Sequence, residues 1–156
     1  MIFLTAPECE AWLTTRRSSD DLAKRVDSHY ALPPKGYQLY SLSLFLATEF
    51  HCQRPRLLQL TAWDIFPSNE NHHLYYRLRQ YYGDYREFSN APGHLCQKHE
   101  SEDLATFLQL TMLNGWDAWL YSEQGDFDVF VSHDEYLRVL TSSNELSHRL
   151  RSHMHR

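Results

Sequence analysis

The chain has 156 residues, and its 42% hydrophobic and 14% aromatic content supplies enough apolar material for one hydrophobic core. Its formal net charge is −5, and residues 37–135 carry six Lys or Arg against fourteen Asp or Glu, so nucleic-acid binding is disfavoured. No apolar run approaches the roughly 18 residues of a membrane span, and the three cysteines have no disulfide or zinc-motif spacing. We therefore expect one soluble, cytoplasmic domain over residues 1–156.

The N-terminal third of the chain is predicted to be helical. Thr5 and Glu8 have the spacing of a capping box with a proline between them, which predicts a short first helix. Residues 18–21 are predicted to begin a second helix, with Val26 on its apolar side. Residues 37–52 fit either a helix or a strand, and their length and scarcity of β-branched residues favour the helix.

A strand and an amphipathic helix are expected next. Residues 57–66 have the apolar composition of a strand. Residues 67–69 are expected to cap a helix over residues 70–82, and Gly83 has the position of a left-handed C-cap. The apolar face predicted for this helix consists of Leu74, Tyr75, Leu78, Tyr81 and Tyr82. An irregular loop with a turn at residues 91–94 follows.

A buried helix is expected at the centre of the fold, because apolar residues surround nearly its whole circumference. It begins near Ser101, and its main apolar face is predicted to hold Leu104, Phe107, Leu108, Thr111 and Met112. A β-hairpin over residues 116–122 and 127–131 follows, then a helix from His133 and a terminal basic helix or tail over residues 143–156. These elements predict a mixed α+β fold whose small sheet of about three strands, including the hairpin, is covered by helices.

The densest set of metal-ligating side chains in the sequence is His94, Cys96, His99 and Glu100. An extended backbone would project His94 and Cys96 to the same side, and a bend before the buried helix would bring His99 or Glu100 to them. Zinc accepts this mixture of ligands. The competing interpretation is a loop in which His94 is hydrogen-bonded, Cys96 is buried, and His99 and Glu100 face solvent.

The segment Ser132-His133-Asp134-Glu135 combines a hydroxyl, an imidazole and two carboxylates. Ser132 and Glu135 have capping-box spacing, which favours a helix that starts here. Such a cap stabilises its helix by roughly 1 kcal/mol. Neighbouring side chains at a helix start diverge, so a catalytic relay within the segment is disfavoured. His133 and Asp134 remain candidates for a catalytic role because they project from the helix start.

Asp117 lies on a predicted strand between two tryptophans, and alternation places it on the same sheet face as Trp119. A buried Asp117 needs a hydrogen-bond donor. The donors expected from the sequence are Arg77, Arg79 and Arg86. The alternative is that Asp64, Asp117 and Asp134 converge on a cation or act as general acid and base.

The segment from Tyr75 to Arg86 mixes aromatic and arginine side chains, which is typical of stacking surfaces and of interface hot spots. The side chains expected to remain available for a ligand or partner are Tyr76, Arg77 and Arg79. The sequence has no GxGxxG, P-loop, GxSxG or HExxH motif. The common nucleotide-binding, serine-hydrolase and zincin classes are therefore disfavoured.

Six short segments stand out as a set: WDIFPSNEN (63–71), LYYRLR (74–79), YGD (82–84), APGH (91–94), NGWD (114–117) and SHDE (132–135). Together they resemble a small bacterial family of uncharacterised proteins. The likeness covers about residues 57–140, the α/β core, and leaves out the helical portion 1–52 and the basic tail. The resemblance implies a bacterial, cytosolic, single-domain protein and transfers no catalytic role.

We expect a non-catalytic protein–protein interaction protein of inhibitor or immunity type, which binds a basic partner through an acidic surface and requires no cofactor. The acids expected to be exposed on this surface are Asp126 and Asp128. The first alternative is a hydrolase that depends on zinc or another divalent metal, with the catalytic candidates His94, Asp117, His133 and Asp134. The second alternative is a regulator that binds a nucleotide-like small ligand at Tyr76, Arg77 and Arg79.

Overall fold

The computed structural model describes residues 1–16, 25–34, 36–48 and 54–154. The strands in this part of the chain are β1 (Ile2–Leu4), β2 (Val26–Ala31), β3 (Arg56–Ala62), β4 (Gly93–Cys96), β5 (Asp117–Ser122), β6 (Phe127–Ser132) and β7 (Tyr136–Thr141). They form one seven-stranded antiparallel sheet with the order β1-β4-β3-β5-β6-β7-β2. The predicted α+β class is confirmed, but the sheet has more than the three strands expected.

The hairpin of β5 and β6 is confirmed, whereas the sequence pattern did not predict β1, β2, β4 and β7 as strands. β1 and β4 have only three and four residues, too few for alternation to be recognised. β2 is an edge strand with no fully buried residue, so its sequence VDSHYA carries no apolar face. Val26 lies in this strand rather than on a helix. The second helix predicted from residues 18–21 lies outside the described residues.

The segment after His133 is a strand and not a helix. The Glu135 N–H donates to the Ser132 carbonyl at 3.2 Å, and Glu135 has a φ of 60°, which closes a three-residue connection between β6 and β7. Burial then alternates along β7, with Leu137 and Val139 inside. The period of two residues therefore outweighs the capping-box spacing of Ser132 and Glu135.

The helices of the described part are α1 (Ala6–Thr14), α2 (Tyr37–Thr48), α3 (His72–Tyr81), α4 (Ser101–Asn114) and α5 (Asn144–Met154), with a 3₁₀ turn at Lys98–Glu100. The capping box of α1 is confirmed, because Thr5 and Glu8 exchange backbone-to-side-chain hydrogen bonds of 2.7 and 3.4 Å. α2 is helical through Thr48, and the rest of its predicted range lies outside the described residues. The terminal helix is also observed.

α4 is the buried helix that the sequence predicts. Its buried side chains include Leu104, Phe107, Leu108, Thr111 and Met112. It packs against α2, and both helices contribute to one apolar cluster with the inner face of the sheet. That face is built in register, since Leu58 pairs with Leu120, Leu120 with Val129, and Val129 with Val139. Gly115 ends α4 with a φ of 65°, the left-handed conformation that glycine adopts without strain.

The buried face of α3 differs from the predicted one. Tyr75 and Arg79 are buried, whereas Leu74 is exposed and Tyr81 is 83% exposed. The buried face includes Arg79, which the helical pattern places on the border of the apolar face, and Asp84 lies 3.2 Å away as its counter-charge. Helical periodicity alone does not reveal such a partner.

Candidate functional site

One end of the sheet gathers several of the predicted catalytic residues. Ala62 at the end of β3 pairs with Asp117 at the start of β5, and β6 reaches the same end before the turn that carries His133 and Asp134. Asp64 follows β3 in the adjoining loop and has a φ of 59°. The antiparallel order of the strands therefore brings these loops to the same end of the sheet.

Asp117 and His133 form a pair, which we call the acid–imidazole pair. One Asp117 oxygen, Oδ1, accepts hydrogen bonds from the His133 backbone N–H at 2.7 Å and from Nδ1 at 2.8 Å. The hydrogen bond to Asp117 raises the pKa of His133 above its ordinary value. His133 Nε2 lies 3.5 Å from an oxygen of Asp134. The expectation of an arginine partner for Asp117 is wrong in this structure, because the turn after β6 supplies the donors.

His94, the fourth catalytic candidate, lies in the core. Its side chain is fully buried, its Nε2 lies 3.2 Å from the Tyr75 hydroxyl, and its ring contacts those of Phe3 and Phe107. Burial lowers the pKa of His94 to about 3, so the imidazole is neutral near pH 7. Its described contacts are thus with core residues rather than with the acid–imidazole pair.

The other three metal candidates also have separate environments. Burial raises the pKa of Cys96 to about 12, so its thiol is protonated. His99 is exposed, while Glu100 is buried and accepts hydrogen bonds from the Gln97 N–H and the Met1 amino group. Among the described residues, the metal set predicted around His94 is not assembled.

The predicted ligand surface on α3 is divided between two sides of the helix. Arg77 is exposed, whereas Arg79 is fully buried. The Tyr76 ring is occupied by stacking on Phe88, with centroids 4.4 Å apart and an 11° angle between the planes. A ligand cannot contact these three side chains together, so the structure gives no support to this grouping.

The two acids expected on the hairpin surface are held by other side chains. Asp128 is buried and accepts hydrogen bonds of 2.5 Å from both Arg16 and Arg25. Asp126 is partly exposed and accepts a hydrogen bond of 2.5 Å from Ser122. Asp128 therefore does not contribute free negative charge to the surface, which corrects its predicted exposure.

Sequence reasoning missed a group of three side chains, Asp64, Glu70 and His72, which we call the Glu70 cluster. The Glu70 side chain has no exposed surface. Burial by itself raises the pKa of Glu70, but hydrogen bonds from His72, the Phe66 N–H and Trp116 outweigh it and leave the pKa lowered. Asp64 and Glu70 lie in the loop before α3, and His72 is the first residue of the helix. Neither helical nor strand periodicity relates residues at this Asp64-x₅-Glu-x-His spacing.

A second missed feature is a row of rings on the outer face of the sheet, which we call the aromatic row: Trp119, Phe130, Tyr136 and His29. The Trp119, Phe130 and Tyr136 rings are partly exposed, and His29 is exposed. Their centroids are 5.0, 6.3 and 5.7 Å apart in that order, from β5 across β6 and β7 to β2. The sequence alternation placed Trp119 on this face, but the strand register alone brings the four together.

A scan against protein-family models, a search of curated proteins and a search of solved structures each gave no match. No helix within the described ranges has the length and apolar character needed to cross a membrane.

Proposed function

We propose that this chain is a non-catalytic protein-interaction protein and that the aromatic row is its binding surface. The observation that carries the proposal is the continuity of four neighbouring rings, three partly exposed and one exposed, on the sheet face opposite α4. In the described part of the chain, the core cluster does not include them. Their exposed surface is thus free to contribute apolar contact area to a partner.

The size and composition of the row favour a protein partner. Its rings lie on four adjacent strands, and three strand spacings span roughly 14 Å. This width suits the centre of a protein interface, where tryptophan and tyrosine are the residues that most often dominate affinity. Small-molecule sites, by contrast, are usually enclosed clefts that bury most of the ligand.

The charge beside the row favours a basic partner. Asp134 and Glu135 are exposed at the β6–β7 turn, next to Tyr136. Arg138 in the same region is paired with Asp27 through hydrogen bonds of 2.8 and 3.1 Å, so its positive charge is offset. Acids at the rim of an interface accelerate association with a basic surface more than they strengthen the final complex. An inhibitor or immunity role would use such a surface.

The proposal is tested by affinity capture with the tagged chain, followed by titration of the captured protein. Trp119→Ala should weaken the complex by about 30-fold or more, the effect of a hot-spot residue. Tyr81→Ala removes an exposed ring on α3 and is the matched control, which should bind like the wild type. Circular dichroism establishes that both variants fold. Equal binding by folded Trp119→Ala and wild type would eliminate the aromatic row as the interface.

A hydrolytic enzyme is the second candidate, and the acid–imidazole pair favours it. Asp117 holds Nδ1 of His133, which leaves Nε2 on the partly exposed side as a base that could accept a proton. We would assay ester and phosphoester hydrolysis with the wild type and His133→Gln. Activity that is unchanged in His133→Gln would exclude this pair as its source.

A further inference from the structure

The Glu70 cluster places three metal-ligating atoms close together, with Glu70 buried and the Asp64 and His72 side chains accessible to solvent. His72 Nε2 lies 2.6 Å from Glu70 Oε2 and 3.1 Å from Asp64 Oδ1, and the three ligand atoms are all within 4.8 Å of one another. We propose that Asp64, Glu70 and His72 bind one divalent transition-metal ion, with Zn²⁺ as the preferred ion. This site is separate from the aromatic row and does not depend on its role.

The chemistry of the three ligands determines the class of ion. One imidazole nitrogen and two carboxylate oxygens suit Zn²⁺, whereas Mg²⁺ favours oxygen ligands in octahedral geometry. Three protein ligands leave one position of a zinc tetrahedron for water or a substrate. The Asp64 side chain is 64% exposed and His72 is partly exposed, so an ion can enter from solvent.

The fold orients the buried ligand independently of any ion. Glu70 accepts hydrogen bonds from Trp116 Nε1 at 2.6 Å, from the Phe66 N–H at 2.8 Å and from the Asp64 N–H at 3.0 Å. Such outer contacts hold a carboxylate ligand in one orientation. The Trp116 ring also contacts His72 edge-on at a centroid distance of 5.2 Å. Glu70 is thereby preorganised, and the ring contact with Trp116 restricts the position of His72.

The ion would lie between His72 Nε2 and the two carboxylate oxygens. Zinc–ligand distances of about 2.0–2.1 Å put tetrahedral ligand atoms roughly 3.3 Å apart. The separation of 3.1 Å between His72 and Asp64 already fits, and the 2.6 Å contact with Glu70 must widen. Rotation of the exposed Asp64 side chain and a small shift of the His72 ring at the start of α3 would allow this.

The test is isothermal titration calorimetry on the full chain after a chelator has removed any bound metal. Zn²⁺ and Mg²⁺ are titrated in separate experiments. We expect one Zn²⁺ per chain and at least about tenfold weaker Mg²⁺ binding. Asp64→Asn should weaken Zn²⁺ binding about tenfold or more. Asparagine tolerates the left-handed backbone of residue 64, so this variant keeps the loop conformation. The matched control is Asp134→Asn, an exposed acid beside His133, which should bind Zn²⁺ like the wild type.

A second measurement identifies the ligand types. The Co²⁺-substituted chain should show the visible absorption of a four-coordinate site without a thiolate charge-transfer band, and His72→Ala should abolish this spectrum. If His72→Ala does not fold, Asp64→Asn decides the matter alone. Unchanged Zn²⁺ affinity in Asp64→Asn, a thiolate band, or loss of affinity in Asp134→Asn equal to that in Asp64→Asn would each overturn the proposal. The cluster would then serve only as a hydrogen-bonded anchor of the loop before α3.

Discussion

The buried pair of Arg79 and Asp84 yields the sharpest stability prediction. The Arg79 side chain has no exposed surface and Asp84 is 5% exposed. Arg79 lies over the rings of Phe3 and Phe88 at 4.9 and 5.4 Å, and its Nε and one terminal nitrogen have no hydrogen-bond partner among the residues that the structure describes. Asp84→Asn removes the carboxylate charge that contacts this guanidinium. Breaking a buried ion pair from one side costs about 3–5 kcal/mol, and we expect a loss of that size.

Urea unfolding at pH 7, followed by tryptophan fluorescence, measures this loss. The control is Asp27→Asn in the partly exposed pair with Arg138, which should cost about 1 kcal/mol or less. Burial alone raises the pKa of Asp84, but hydrogen bonds from Arg86 and the charge of Arg79 outweigh it, and the pKa is lowered. The contribution of the Asp84 carboxylate to the free energy of unfolding is therefore complete above its unfolded-state pKa. It is lost as the pH falls through the folded-state pKa. A loss below about 1 kcal/mol at pH 7 would refute the dependence of Arg79 on Asp84.

Two further predictions concern Gly115 and His133. Gly115→Ala should destabilise by about 1–3 kcal/mol in thermal unfolding, because residue 115 has a φ of 65° and the new Cβ would lie 3.2 Å from the Phe66 ring. Gly83→Ala, with a φ of 81° and no atom within 4 Å of its Cβ, should cost less, and equal losses would show that the Phe66 contact is unimportant. For His133, NMR titration of the ring should give a midpoint above the ordinary histidine value, and Asp117→Asn should lower it. The contribution of this raised pKa to stability is complete below the unfolded-state pKa and is lost as the pH rises through the folded-state pKa, so an unchanged midpoint in Asp117→Asn would contradict the pairing.

Elements with a strong local signal are those that the sequence predicted correctly. The apolar circumference of α4 predicted its burial, and the exchange of bonds between Thr5 and Glu8 follows from a spacing of three residues. The alternation of β5 placed Asp117 and Trp119 on one face. Local signals failed for the edge strand β2, which lacks a buried face, and for β7, where a capping-box spacing competed with alternation.

Candidate sites were harder to predict than elements, because a polar side chain takes its role from its partner. Asp128 looked like a surface acid, but Arg16 neutralises it from 112 residues away in sequence. His94 looked like a metal ligand, yet the register of β4 turns it towards Tyr75 in the core. Asp117 was expected to pair with arginine, and the turn carrying His133 supplied the donor instead.

The sequence by itself determined the mixed α+β class, the buried α4, the capped α1 and the β5–β6 hairpin, because each depends on the spacing of residues within about one element. Only the tertiary structure decided the seven-strand order, the continuity of the aromatic row and the assembly of Asp64 with Glu70 and His72. Strand register and loop packing join residues that are distant in sequence, and the free energy of burying a charge or a ring depends on those neighbours.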